Sequence, residues 1–166
     1  MNNHKRTQTI VFIGIMTALI AAVTAMIQIP IPTGYLNFGD VMVMISAFVL
    51  PVRGAMIAAG VGSALVDLFT YPQYAIFTFF IKMAEVLVIV KFAHYLKGKK
   101  RYIPFFLAGF TMMFLYGLVD AYLVGEISYM PISMAYNSIQ AIANSLIATL
   151  AYPSIIVLVN HLRGKG

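Results

Sequence analysis

The chain contains no cysteine and no tryptophan, and only five of its 166 residues are acidic. Without cysteine there is no disulfide framework, no thiol nucleophile and no cysteine-ligated metal site. Nucleotide-binding and hydrolytic signatures are missing as well: there is no GxxxxGK[ST], no HExxH and no GxSxG. His4, His94 and His161 all fall at one edge of the apolar segments, away from the other polar residues. The sequence therefore supports no Ser-His-Asp arrangement, no metal ligand set and no catalytic residue.

What the chain has in excess is apolar surface. Hydrophobic residues make up 61% of it and the mean hydropathy is +0.91, more than a soluble core of this size could hide. This predicts an integral membrane protein with the lipid bilayer as its solvent. The net charge of +6 does not point to nucleic acid, because the basic residues flank apolar segments and form no patch interleaved with aromatics.

The basic residues set the topology. After Lys5 and Arg6, an uncharged run over 8–29 is long enough, at about 1.5 Å rise per residue, to cross roughly 30 Å of hydrocarbon. It is too long for a signal-peptide core, and Ile29-Pro30-Ile31-Pro32 is not a small-residue cleavage site. The IPIPTGYLNFG stretch cannot continue a helix and reads as an outside loop. Span two, over 40–50, is too short to cross alone, so the preceding loop must dip towards the helices or the protein must be locally thin. Pro51-Val52-Arg53-Gly54 makes an inside turn and span three follows to residue 71. Tyr71-Pro72-Gln73-Tyr74 turns outside, span four covers 75–95, span five 103–124 and span six 133–161. Nine of the eleven Lys and Arg then lie on one side: Lys5, Arg6, Arg53, Lys97, Lys99, Lys100, Arg101, Arg163 and Lys165. By the positive-inside rule that side is cytoplasmic. The expectation is one all-α domain over 1–166, a compact bundle of six transmembrane helices with both termini cytoplasmic.

Ionisable groups inside the hydrocarbon are costly and mark function or paired structure. Here they are Asp67, Lys82, Glu85 and Asp120, with Asp40 at the outer start of span two. Asn137, Gln140 and Asn144 share one face of span six. All lie in the outer halves of their spans, whereas the inner halves are almost purely apolar. That distribution fits a polar cavity open to the outside and sealed below. Tyr35, Phe38, Tyr71, Tyr74, Phe77, Tyr122, Tyr129 and Tyr136 gather at the same end, either as an interfacial belt or as the cavity rim. Lys82 pairs with Glu85 one turn on, with an acid on a neighbouring helix, or with a ligand. Gly14, Ala18 and Ala22, four residues apart on span one, form a small-residue stripe for packing inside the bundle or for docking another membrane protein.

Several segments together resemble a known family. These are Ala18 and Ala22 in an AxxxA element, the proline-bearing loop ending in LNFGD (36–40), the Gly/Ala-rich span three ending in ALVDLF, and FTFFIKMAE in span four. In this order and spacing they resemble the substrate-binding S components of energy-coupling factor (ECF) vitamin transporters, and the resemblance covers the whole chain. Among subgroups it is most similar to those for hydroxymethylpyrimidine, pyridoxine-like compounds or riboflavin; the tryptophan-rich pocket of a thiamin binder is missing. The resemblance implies capture of a water-soluble vitamin from outside and its delivery with a membrane scaffold subunit and two cytoplasmic ATPases. ATP is then used by the partners, and this chain needs no cofactor. It also implies that Ala18 and Ala22, extended by Gly14, dock on the scaffold, that Asn37 and Asp40 belong to the gate or pocket, and that Lys82 belongs to the pocket. Asp67, Tyr74, Glu85 and Asp120 complete the candidate substrate site with Tyr136, Asn137, Gln140 and Asn144. The rival reading is a stand-alone ion- or proton-coupled transporter using Asp67, Glu85 and Asp120 as a relay.

Overall fold

The computed structural model describes residues 3–96 and 98–162; Lys97, Arg163 and Lys165, three of the cations assigned to the inside, lie outside the described residues. Six α-helices appear in chain order: α1 (Asn3–Met26), α2 (Gly39–Val49), α3 (Val52–Thr70), α4 (Ala75–Tyr95), α5 (Ile103–Val124) and α6 (Met130–Leu162). Four of the segments, over 6–26, 52–70, 103–124 and 127–157, are long and apolar enough to cross a membrane. The fourth helix matches them in length but carries Lys82, Glu85 and Lys91.

Between α1 and α2 the expected irregular loop is instead an antiparallel hairpin, β1 (Gln28–Ile31) paired with β2 (Gly34–Asn37), with Gln28 opposite Asn37 and Ile31 opposite Gly34. Pro30 and Pro32 break the first helix three residues earlier than expected. They do not exclude strand structure, because in a two-stranded ribbon both strands are edges and tolerate a missing N–H. The second helix has 11 residues, roughly 16 Å at helical rise. It does not cross alone, and the hairpin occupies the outer end of the bundle above it. The start of α6 also differs, reaching back to Met130, since Pro131 costs nothing in a first turn whose N–H groups have no helical partner.

Close backbone approach explains the small residues of α3. A Cβ added at Gly62 would stand 2.8 Å from the Thr17 carbonyl oxygen on α1, so only glycine lets α1 and α3 meet here. Met16, Ile20, Val43, Ala55, Ala58, Ala59 and Val86 fill this contact. A second apolar cluster, Met44, Ile89, Phe105, Ala108 and Ala148, joins α2, α4, α5 and α6 one turn further from the hairpin than Asp40, Glu85 and Asn144. Phe48 and Tyr152 extend it, and the Arg101 guanidinium lies over the Tyr102 ring at 4.8 Å. The polar end of the bundle is thus sealed from the basic end.

Candidate functional site

Four helices, α3 to α6, contribute polar side chains to the hairpin end at one-turn intervals. Ser63 precedes Asp67, Thr78 precedes Lys82, Tyr116 precedes Asp120 and Ser133 precedes Asn137, each by four residues, so each pair shares a helix face. With hairpin residues Thr33, Tyr35 and Asn37 these side chains, Ser133 excepted, line a cavity of about 50 Å³. On the order of 10–15 Å³ of such space holds one water, so the cavity has room for a few waters.

The hairpin is latched to both acidic walls. Thr33 Oγ1 and Tyr74 OH donate to Asp120 at 2.9 and 2.7 Å, and Ser133 Oγ donates to the same carboxylate. Tyr35 OH donates to Asp67 at 2.5 Å, joined there by Thr78, whose hydroxyl also meets Tyr116 OH at 2.8 Å. Burial and the adjacent Asp67 carboxylate hold the Tyr35 hydroxyl well above the usual phenol range. Burial and the hydrogen bond to Asp120 do the same at Tyr74. Both phenols therefore stay protonated and act as donors.

A third latch runs through α6. Gln140 Oε1 accepts from the Asn37 backbone N–H at 2.8 Å while Gln140 Nε2 donates to Asp40 at 2.7 Å, and Asn144 Nδ2 donates to the Asn37 carbonyl at 2.9 Å. Asp40 also accepts from Lys82, which donates at 2.7 Å to Glu85 as well and stands 5.3 Å from the centre of the Tyr116 ring. Among the described residues the ion pairs are these two. The Lys82–Glu85 pairing expected from the sequence is present, with Asp40 as a second partner. Among the described residues four buried side-chain oxygens lack a hydrogen bond: Thr24 Oγ1, Glu85 Oε2 and Asn144 Oδ1 near the cavity, and Thr149 Oγ1 further along α6.

The structure brings Asn37, Asp67, Tyr74, Lys82, Asp120, Asn137 and Gln140 to the cavity wall. Asp40, Glu85 and Asn144 lie beneath it, bonded to wall residues. Tyr136 is a correction: it is exposed on the flank of α6, because about 100° of helical rotation separates it from Asn137. Tyr122 is likewise exposed, in keeping with an interfacial belt. Sequence reasoning missed Thr24, Thr33, Ser63, Thr78, Tyr116 and Ser133. Four of these were findable as the residues one turn before each singled-out polar group. Gly14, Ala18 and Ala22 are all exposed, and a Cβ at Gly14 would meet nothing within 4 Å. The stripe does not pack inside the bundle.

A family model described as the ECF-type riboflavin transporter S component matches residues 4–162. The chain belongs to that family. Its members are transport subunits rather than enzymes. The fold agrees with two solved S components at a TM-score of 0.68 each. One, described as the S component of a bacterial ECF transporter, is 17% identical over 93% of this chain and 98% of its own. The other, the S component for biotin from an ECF-type ABC transporter, is 18% identical over 100% of this chain and 96% of its own. An uncharacterised protein encoded in the gap 3′ region of Pyrococcus woesei is 43% identical over 86 residues, 50% of this chain and 55% of that protein. The chain thus spans about half the length of that curated relative.

Proposed function

We propose that this S component is the high-affinity substrate-binding subunit of an ECF-type importer in a prokaryotic plasma membrane. It takes a water-soluble vitamin or precursor, of the size of hydroxymethylpyrimidine or pyridoxine, from outside. It passes the solute inward with a scaffold subunit and two ATPases, which use the ATP. The observation that carries this reading is the polar, tyrosine-walled cavity capped by a hairpin whose three latches are side-chain hydrogen bonds. At about 50 Å³ the free space beneath the hairpin is smaller than a vitamin, so on this reading the hairpin lifts to admit one, and its breakable latches suit that motion. The exposed Gly14, Ala18 and Ala22 stripe suits close docking of the scaffold's helices.

A stand-alone proton relay is disfavoured. Beyond Glu85 and Asn144 the bundle interior is mostly apolar, with Met44, Ile89, Phe105, Ala108 and Ala148, and the buried Ser46 and Ser145 hydroxyls there donate to backbone carbonyls, so no carboxylate continues the relay. The test is mass spectrometry of the small molecule retained by the purified chain, together with copurification of the scaffold and ATPases from cells that express them. A chain that retains no heterocycle and binds no such module removes the proposal.

A further inference from the structure

We infer that Thr78 is a positioning residue of the cavity. It holds the Tyr116 ring beside the Lys82 ammonium through a hydrogen-bond chain that runs one way, from Tyr116 through Thr78 to Asp67. This rests on the vitamin-binding reading and adds to it a residue that acts on the solute through another.

The first observation is where Thr78 spends its hydroxyl. Threonine inside a helix commonly donates to the carbonyl four residues back. Thr17, Thr70 and Thr111 do so here, to Ile13, Val66 and Leu107 at 2.8, 3.0 and 2.8 Å. Thr78 is 2% exposed on α4, and it donates instead across the bundle to Asp67 of α3 and meets Tyr116 OH of α5 at 2.8 Å. Its hydroxyl thus joins three helices.

The second is proton counting. A hydroxyl carries one proton, and an ionised carboxylate only accepts. Asp67 takes the Thr78 proton on one oxygen and the Tyr35 proton on the other. Thr78 has none left for Tyr116, so at that contact Tyr116 donates. The phenol is pinned as a donor.

The third is what the pinned ring faces. Its centre lies 5.3 Å from Lys82 Nζ, inside the range of about 6 Å over which an aromatic face attracts a cation. Lys82 follows Thr78 by one helical turn, and all three side chains line the cavity. An ammonium has three donors, of which Asp40 and Glu85 take two. With the ring fixed beside it, Lys82 presents the remaining proton in one direction. Valine has the shape of threonine without the hydroxyl, so Thr78→Val frees the Tyr116 ring to turn and leaves that proton loosely directed. Thr78→Ser keeps the chain.

Ultraviolet resonance Raman spectra of the purified full chain in detergent, wild type minus Tyr116→Phe, isolate the Tyr116 hydroxyl with no ligand present. The difference should show a hydrogen-bond donor that is lost in Thr78→Val and kept in Thr78→Ser. Isothermal titration with riboflavin, pyridoxine and hydroxymethylpyrimidine reads the role. A probe that binds the wild type should bind Thr78→Val about tenfold more weakly and Thr78→Ser within about threefold. In a Lys82→Met background, Thr78→Val should change affinity by less than about threefold, because the group it directs is gone. An acceptor or unbonded signature for Tyr116 in the wild type overturns the inference, and this reading needs no Thr78 variant to fold. Equal losses in both backgrounds overturn it too, as does wild-type affinity in Thr78→Val with only a lower thermal midpoint, the mark of a structural tie. The vitamin-binding subunit survives these three results. Binding of no probe, with no heterocycle retained by the purified chain, overturns both.

Discussion

Replacing Lys82 by methionine removes the ammonium while keeping the length and most of the volume of the side chain. Lys82 is 3% exposed, its partners Asp40 and Glu85 are 1% and 0% exposed, and the Lys82–Glu85 contact is 2.7 Å. Deleting one member of a buried ion pair typically costs about 3–5 kcal/mol, because the remaining charge is left without compensation. Here two carboxylates are left at once, and Glu85 already has one oxygen without a partner. At about 2–4 °C per kcal/mol for a chain of this length, Lys82→Met should lower the thermal midpoint in detergent by on the order of 10 °C, read by far-ultraviolet circular dichroism. Neutralising the partners as well, in Lys82→Met/Asp40→Asn/Glu85→Gln, removes the uncompensated charge. Neutral replacement of a buried pair is often close to isoenergetic, so the triple variant should recover most of the loss. A single variant as stable as wild type, or a triple variant less stable than the single, would refute the charge accounting.

Three further outcomes are expected. A cysteine introduced at Gln73 should react with an impermeant reagent applied outside, whereas one at Gly98 should not; the reverse pattern would invert the topology. Gln140→Leu removes the bridge between the Asn37 N–H and Asp40; it should speed hydrogen exchange of the hairpin amides and weaken vitamin binding by about tenfold to a hundredfold, and unchanged exchange would mean that this latch does not hold the hairpin. Ala18→Trp with Ala22→Trp, on the exposed stripe, should abolish uptake and copurification of the ATPases while vitamin affinity stays within about threefold, under about 0.7 kcal/mol; equal loss of binding and uptake would mean that the bulky groups disturb the cavity.

Much of this bundle was legible because a bilayer imposes few choices. Charge segregation and span length placed α4 and α5 to the residue, since Pro72 and the basic segment before Ile103 leave little freedom. The polar end followed from the cost of an intramembrane charge, which singled out Asp67, Lys82, Glu85 and Asp120 without any geometry. What stayed hidden depended on pairing across the chain. The hairpin needs Gln28 opposite Asn37, and prolines at 30 and 32 read locally as loop. Asp40 as a partner of Lys82 is a contact between α2 and α4, 42 positions apart, which helical spacing does not report. Tyr136 differs for another reason: it lies at the same outer end as the other aromatics, but one helical step from Asn137 turns it to the exposed flank of α6.

On the proposed reading, the same hydrogen bonds that hold the hairpin limit how tightly a vitamin can bind. In the closed structure Asp67 and Asp120 already accept from Tyr35 and Thr33, so a ligand gains only the difference between its donors and theirs, plus its aromatic contacts. Hydroxyls on a two-stranded ribbon are a suitable resting partner, because each such bond contributes only about 1 kcal/mol net and all are lost together when the ribbon lifts. Stronger latches, such as a lysine at Thr33 beside Asp120, would make the empty state outcompete the vitamin. Apolar ones would leave two buried carboxylates unpaired whenever the site is empty. Neutral hydroxyls on the hairpin and carboxylates on the walls therefore let one set of acceptors serve both the closed empty site and the loaded one. The buried ammonium of Lys82 lines the same cavity but is tied to Asp40 and Glu85 rather than to the hairpin.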